Sequence, residues 1–313
     1  MVKHFLSLMD WSTPDLEELL DKATFLKREH FSTGHPPVMR GKTLALVFQK
    51  PSLRTRVSFE IAIQQLGGHA LYLCKDDVDM GDRESIADVV RVLGEYVHSI
   101  AARVSDHNNL LEMATWSPVP VINALTKHNH PCQAMADVLT IQEELGQLAG
   151  LKVVYLGSSN QDTARSLLFA AVKFGFQLIL SSPEGFWIEA ETIDMARAIA
   201  GEQVVQCVSN PTEAVQEVDV IYTDSWEGMG MWEKVSDTEA TRRLHLFSPY
   251  QVNESLMAHA PKALIMHCMP ANRGQEISDA AADGIQSRLL QQAQNRVHVQ
   301  KAILLHLVGC AAA

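Results

Sequence analysis

The segment Lys50-Pro51-Ser52-Leu53-Arg54-Thr55-Arg56 gathers two hydroxyls, Ser52 and Thr55, and two guanidiniums, Arg54 and Arg56. All four are hydrogen-bond donors, and the planar fork of arginine matches the oxygens of a phosphate. An apolar, strand-like run from Thr43 to Phe48 precedes the segment. After it, Phe59, Ala62, Ile63 and Leu66 fall on one face of a helix, and Gly67-Gly68 supplies its stop. The loop therefore lies where a strand hands over to a helix N-terminus, whose free N–H groups and dipole favour an anion. This is the pattern of a phosphate cradle. It lacks the glycines and the terminal Lys-Ser/Thr of a Walker loop.

Four further groups carry potential chemistry. In His130-Pro131-Cys132-Gln133, the proline suits the first turn of a helix and leaves His130 at its N-terminal edge. By residue type alone, such a histidine is more often a plain helix-start residue than a catalytic one. Arg103 ends the apolar run SIAAR, as either a site cation or a surface charge. His267-Cys268-Met269-Pro270 follows the run ALIM, where a cysteine is usually a small buried hydrophobe. Asp224-Ser225-Trp226-Glu227-Gly228-Met229-Gly230 follows VIYT, and glycines on both sides of Met229 predict either a closing segment or a solvated turn.

These residues must be positioned by strands and helices in alternation. HALYLC, SIAARV and PVPVINAL read as strands, Ile86 to Tyr96 as a helix, and Asp77 to Ser85 as a polar loop. A second series begins at LKVVYLG and continues through FQLILSS, VVQCVS, DVIYTD and ALIMHC. The alternation predicts an α/β protein with mostly parallel sheets. In such sheets ligands bind beyond the carboxyl ends of the strands, where Ser52, Arg103, Asp224 and His267 fall. The expected layout is two Rossmann-like domains with the active site in the cleft between them. Gly157-Ser158-Ser159-Asn160-Gln161-Asp162 also joins a strand to a helix, but it has one glycine where a dinucleotide fingerprint needs three. No NAD, and no other cofactor, is expected.

Bulk properties agree with an enzyme of small molecules. A length of 313 residues accommodates two ordinary domains. The formal charge of −11 argues against nucleic acid or an anionic membrane as partner, so an anionic substrate must be drawn by a local arginine cluster. The five cysteines are scattered without zinc spacing, and no metal is expected. Reduced thiols, the absence of a signal-peptide core at the N-terminus and an apolar tail too short to span a bilayer point to the cytoplasm.

The segment from Lys50 to Arg56 resembles the carbamoyl phosphate loop of the aspartate/ornithine carbamoyltransferase family, in its Ser-Leu-Arg-Thr-Arg variant. The resemblance spans nearly the whole chain. It implies a carbamoyl phosphate domain over residues 1–143, joined by a C-terminal helix over 293–313, and an amino-acid domain over 144–292. Ser52, Leu53, Arg54, Thr55, Arg103 and Arg296 would then contact carbamoyl phosphate, with His130 donating to the carbamoyl oxygen and Gln133 accepting from its amine. Arg103, Thr55 and His130 would form the pocket for the developing oxyanion. His267-Cys268-Met269-Pro270 matches the ornithine-type His-Cys-Leu-Pro rather than the aspartate-type His-Pro-Leu-Pro. By resemblance Cys268 faces the acceptor's amine, and backbone carbonyls near Met269 meet the carbamoyl nitrogen. Asp224 would pair with the acceptor's α-ammonium within a loop usually written Asp-x-Trp-x-Ser-Met-Gly.

Two positions depart from the family pattern. The serine before Met229 is Gly228, and the family's Gly-Asp-x-x-Asn-Asn ends here in Asp162. A carboxylate at Asp162 opposes the carboxylate of an amino-acid acceptor, unless Asn160 or Gln161 takes that role. The expected activity is carbamoyl transfer to the side-chain amine of ornithine. The alternatives are the same chemistry on another amine, such as an N-acylated ornithine or putrescine, and a non-catalytic family member. The resemblance also implies a homotrimer or a multiple of it, with the loop at Asp77 to Ser85 reaching a neighbour's site.

Overall fold

The computed structural model describes residues 2–78, 80–81, 83–226 and 236–309. The chain divides into two compact units, Met1–Leu139 with Gln294–Ala313, and Thr140–Ala293.

The first unit is built on four strands, β1 (Thr43–Phe48), β2 (His69–Cys74), β3 (Ser99–Arg103) and β4 (Val121–Leu125), all paired in parallel in the order β2-β1-β3-β4. β3 is buried along its whole length and β1 along nearly all of it, as strands covered by helices on both faces must be. The chain leaves β1 toward β2 on one side, while β3 lies on the other. This switch point opens a crevice at the carboxyl ends. There the register sets Phe48 directly beside Arg103.

The helix Leu53–Gln65 starts at the N-cap Ser52 and ends as the sequence predicts. Gly67, at φ +86°, donates to the Gln64 carbonyl and Gly68 to the Ile63 carbonyl, the pair of bonds that closes a Schellman cap. Two sequence expectations are adjusted. The start of the polar stretch from Asp77 coils into the short helix Lys75–Val78, with Asp77 Oδ2 accepting from the Cys74 N–H at 2.8 Å. Asp79 and Asp82 of that stretch lie outside the described residues. The last helix runs Leu289–Val308 and starts ahead of residue 293, because the run from Leu289 contains no helix breaker and Gln292 already bonds back to Arg288.

The second unit carries β5 (Lys152–Leu156), β6 (Gln177–Ser181), β7 (Val205–Cys207), β8 (Val220–Thr223) and β9 (Leu264–His267), again parallel, in the order β7-β6-β5-β8-β9. The switch point here falls between β5 and β8. Their carboxyl ends lead into Gly157 and Asp224. Gly157 sits at φ +121°, and a Cβ there would stand 3.1 Å from Trp226 Cδ1, so the turn admits only glycine. No described helix is long and apolar enough to cross a membrane.

Candidate active site

The first unit concentrates positive charge at its switch point. Ser52 makes no side-chain cap bond to its own helix. Instead its hydroxyl accepts from Arg103 Nη1 at 3.0 Å, a contact made possible by the pairing of β1 with β3. Thr55, in the first helical turn and 2% exposed, accepts from Arg296 Nη2 at 3.0 Å. The other Arg296 nitrogen, Nη1, donates to Gln133 Oε1 at 2.6 Å, and Gln133 Nε2 donates to Asp137 Oδ1 at 2.8 Å. Arg296 and Arg103 are both buried, and Arg54 is half-buried.

His130 lies at the centre of this charge. Its carbonyl opens the helix Pro131–Leu145 by accepting from the Gln133 and Ala134 N–H groups. Burial, reinforced by Arg296, Arg103 and Arg54, holds its imidazole well below the usual 6.5. It is therefore neutral at physiological pH, with one N–H to donate and no proton to release as imidazolium. Burial pushes the neighbouring Cys132 thiol up to about 12, which removes it as a nucleophile.

Arg56 does not join this group. Two residues along a helix from Arg54, it points elsewhere, bonding Glu60 Oε1 at 2.9 Å and lying 3.6 Å from the centroid of the Tyr72 ring. Leu53 is 72% exposed and offers the site only its backbone. A cavity of about 190 Å³ lined by Gln49, Lys50, Cys74, Lys75, Met80 and Ser105 lies in the same unit, but Arg54, Arg103 and His130 do not line it.

In the second unit the carboxyl ends of β5, β8 and β9 bring Asp162, Asp224 and Cys268 together. All three are buried. Thr163 links two of them, its hydroxyl lying 3.5 Å from Asp162 Oδ2 and 3.9 Å from Cys268 Sγ. Asp224 Oδ1 accepts from the Ser225 N–H at 2.7 Å, while its buried Oδ2 has no partner among the described residues. Burial raises the Asp224 carboxyl above the ordinary range, with hydrogen bonds from Cys268, Ser225 and Thr163 pulling the other way. Gln161 Nε2 donates to the Ser225 carbonyl at 3.2 Å, and Asn160 Oδ1 accepts from Ser158 Oγ at 2.8 Å. Gly228 and Met229 lie outside the described residues.

The turn after β9 is held by a buried pair. His267 Nδ1 accepts from the Met269 N–H at 2.8 Å, so its proton is on Nε2, which donates to Glu276 Oε1 at 3.0 Å. Glu276 Oε1 also accepts from the Asn272 N–H. This arrangement supports Met269 at φ +61°, a left-handed conformation that a residue with a side chain adopts only under constraint. Asp224, His267 and Cys268 offer ligand atoms within 4.8 Å of one another. With both His267 nitrogens engaged, the trio as folded presents only two ligands to a cation.

Tyr155 is the residue that sequence reasoning missed. It sits inside β5, stacks on Tyr222 with ring centroids 5.9 Å apart, and is completely buried. Its hydroxyl has no partner among the described residues. Burial and the charges of Asp224, Cys268, Asp162 and Glu276 push it well above the phenol's normal range, so it stays protonated. Nothing in the run KVVYL distinguishes it from a core residue.

Comparison with known proteins is consistent in both units. Residues 3–143 match the family model described as aspartate/ornithine carbamoyltransferase, carbamoyl-P binding domain, and residues 149–307 match its Asp/Orn binding domain. The ornithine carbamoyltransferase of Anoxybacillus flavithermus is 44% identical over 309 residues, covering 98% of this chain and 96% of the relative. That of Archaeoglobus fulgidus is 41% identical over 309 residues, covering 98% of each. The solved ornithine carbamoyltransferase of Pyrococcus furiosus superposes with a TM-score of 0.93 at 41% identity, covering 99% of this chain and 98% of that one.

Proposed function

The chain belongs to the aspartate/ornithine carbamoyltransferase family, and from that premise we propose that it transfers the carbamoyl group of carbamoyl phosphate to the side-chain amine of L-ornithine. The products are L-citrulline and phosphate. One observation carries this reading: in a chain of net charge −11, Arg54, Arg103 and Arg296 surround a buried, neutral histidine next to a helix N-terminus. That is a seat for a phosphate dianion with a neutral donor beside it.

In this reading Ser52, Arg54, Thr55 and the first-turn N–H groups at Leu53 hold the phosphate, and Arg103 bridges it to the carbamoyl oxygen. His130 donates its N–H to that oxygen, Gln133 accepts from the carbamoyl amine, and Arg296 holds Gln133 and Thr55 in place. In the second unit, Asp224 takes the acceptor's α-ammonium and Cys268 faces the chain carrying the amine. The neutral amine attacks the carbonyl carbon, and the C–N bond forms as the oxyanion develops. The C–O bond to phosphate then breaks with its electron pair leaving on phosphate, and the amine proton passes to phosphate or solvent. Orientation and charge stabilisation supply the acceleration, each oxyanion donor contributing about 3 kcal/mol.

The four described cysteines are free thiols, which supports a reducing, cytoplasmic setting. The family resemblance supports a homotrimer. Citrulline formation from carbamoyl phosphate and L-ornithine, with phosphate release followed in parallel, tests the activity. Release of phosphate with no amine of any kind sustaining it would refute carbamoyl transfer.

A further inference from the structure

We infer that the first unit carries a second anion site, built from Lys301, His298, His30 and His35, which takes a small oxyanion of the phosphate class. His298 and Lys301 follow Arg296 on the last helix by two and five residues. At 100° per residue they stand about 200° and 140° around the helix from it, away from the bonds to Thr55 and Gln133.

The core of the site is a buried cation without a counter-ion. Lys301 is completely buried, and its ammonium meets one partner among the described residues, His35 Nε2 at 2.9 Å. An imidazole nitrogen that accepts from an ammonium is uncharged. The contact therefore uses one of the lysine's three donors and balances none of its charge. Burial lowers the lysine to about 8, which leaves it mostly charged at neutral pH. A buried charge with no opposite charge beside it is destabilising, and a bound anion relieves it.

The neighbouring groups add donors from two further segments. His298, one turn before Lys301, is 2% exposed, and its Nδ1 has no partner among the described residues. The ring of His30, at the end of the helix Thr13–His30, has its centroid 5.6 Å from that of His298 and 6.0 Å from that of His35. Burial first, and Lys301 next, hold all three imidazoles below their usual value. Lys27, which donates to Asn295 Oδ1 at 2.7 Å, adds its charge at His298. The carboxylate of Glu29 opposes the lowering at His35, and its Oε2 accepts from Thr33 Oγ1 at 3.0 Å. A neutral imidazole offers one donor and one acceptor. Hydrogen phosphate, which titrates near neutral pH, accepts from Lys301 and from ring N–H groups and donates to a bare ring nitrogen. A halide only accepts, so it leaves part of the group unmet.

Titration of a protein whose first phosphate cradle is weakened tests this. Calorimetry on Arg54→Ala, with inorganic phosphate and separately with glycerol 3-phosphate, should show saturable binding of at least one of them with Kd about 1 mM. The first probe alone would mark a site for the free ion, and both together a site for phosphate esters as well. Adding Lys301→Met should weaken that binding by at least about tenfold, and adding His30→Asn instead should weaken it by about threefold. Thermal unfolding checks that each variant folds, which is expected for Lys301→Met because it removes a buried charge. Should it not fold, the half-buried His30 decides through His30→Asn. Binding of neither probe to Arg54→Ala overturns the inference. So does an unchanged Kd in a folded Lys301→Met, or in His30→Asn where that variant decides. Chloride that displaces phosphate at equal concentration also overturns it, since a bare acceptor would then serve as well.

Discussion

Acidification should destabilise this protein through His130, and the size of the effect follows from its surroundings. Burial, with Arg296, Arg103 and Arg54 adding repulsion, holds the native imidazole well below its usual 6.5. Below that value the unfolded chain takes up a proton that the native state refuses. The stability contributed by keeping His130 neutral is therefore complete above about pH 6.5 and is lost as pH falls, reaching about 1.4 kcal/mol at about pH 5.5. Other titrating groups act on the same curve, so the comparison is with His130→Asn, which lacks only this one. The stability difference between wild type and variant, from urea unfolding at about pH 8 and about pH 5.5, should change by about 1.4 kcal/mol against the wild type. A difference independent of pH would mean that His130 takes up its proton as readily in the native state as in the unfolded chain. Kinetics give the second arm. Loss of the donor, in His130→Ala, should lower kcat by about 10²–10³, and the wild-type profile should show no inflection near pH 6.5 that either variant abolishes. Such an inflection would make the group an imidazolium acid and refute the neutral-donor assignment.

Arg54→Ala should weaken inorganic phosphate binding by about 2–3 kcal/mol while leaving the unfolding temperature almost unchanged, since the half-buried side chain contributes charge more than packing. Titration calorimetry with phosphate checks it, and undiminished binding would remove Arg54 from the cradle. Arg296→Met should destabilise the free protein by about 2 kcal/mol. It removes two charge-assisted bonds to the buried Thr55 and Gln133, partly offset by relief of repulsion with Arg103 and Arg54. Equal or greater urea resistance in that variant would show that the positive cluster is strained beyond what its hydrogen bonds recover.

Much of the candidate site is legible in the chain because its signals are local. The strand–loop–helix order around Ser52, the Gly67-Gly68 stop and the His130-Pro131 helix start each depend on residues a few positions apart, where backbone geometry and hydrophobic period decide the outcome. The same local logic also misleads. Arg54 and Arg56 are equivalent by composition, but 100° of helical rotation per residue sends Arg56 to Glu60 and Tyr72. The far start of the last helix, at Leu289, shows that a run without breakers is entered earlier than a motif boundary indicates.

By itself the sequence determined an α/β protein and its family; it marked Ser52 to Arg56 as a candidate phosphate loop and favoured ornithine among several amine acceptors. It also exposed Asp162 as a carboxylate out of keeping with an amino-acid acceptor. Only the tertiary structure decided which of these residues meet. Ser52 reaches Arg103 because β1 pairs with β3 rather than β4, and Thr55 reaches Arg296 across 241 positions of chain. Tyr155 passes from an ordinary strand residue to a buried hydroxyl with no partner among the described residues, near three carboxylates, once β5 is set beside β8. Strand order is chosen by the packing of whole helices and sheets, and no periodicity within a segment records which distant segment will lie beside it.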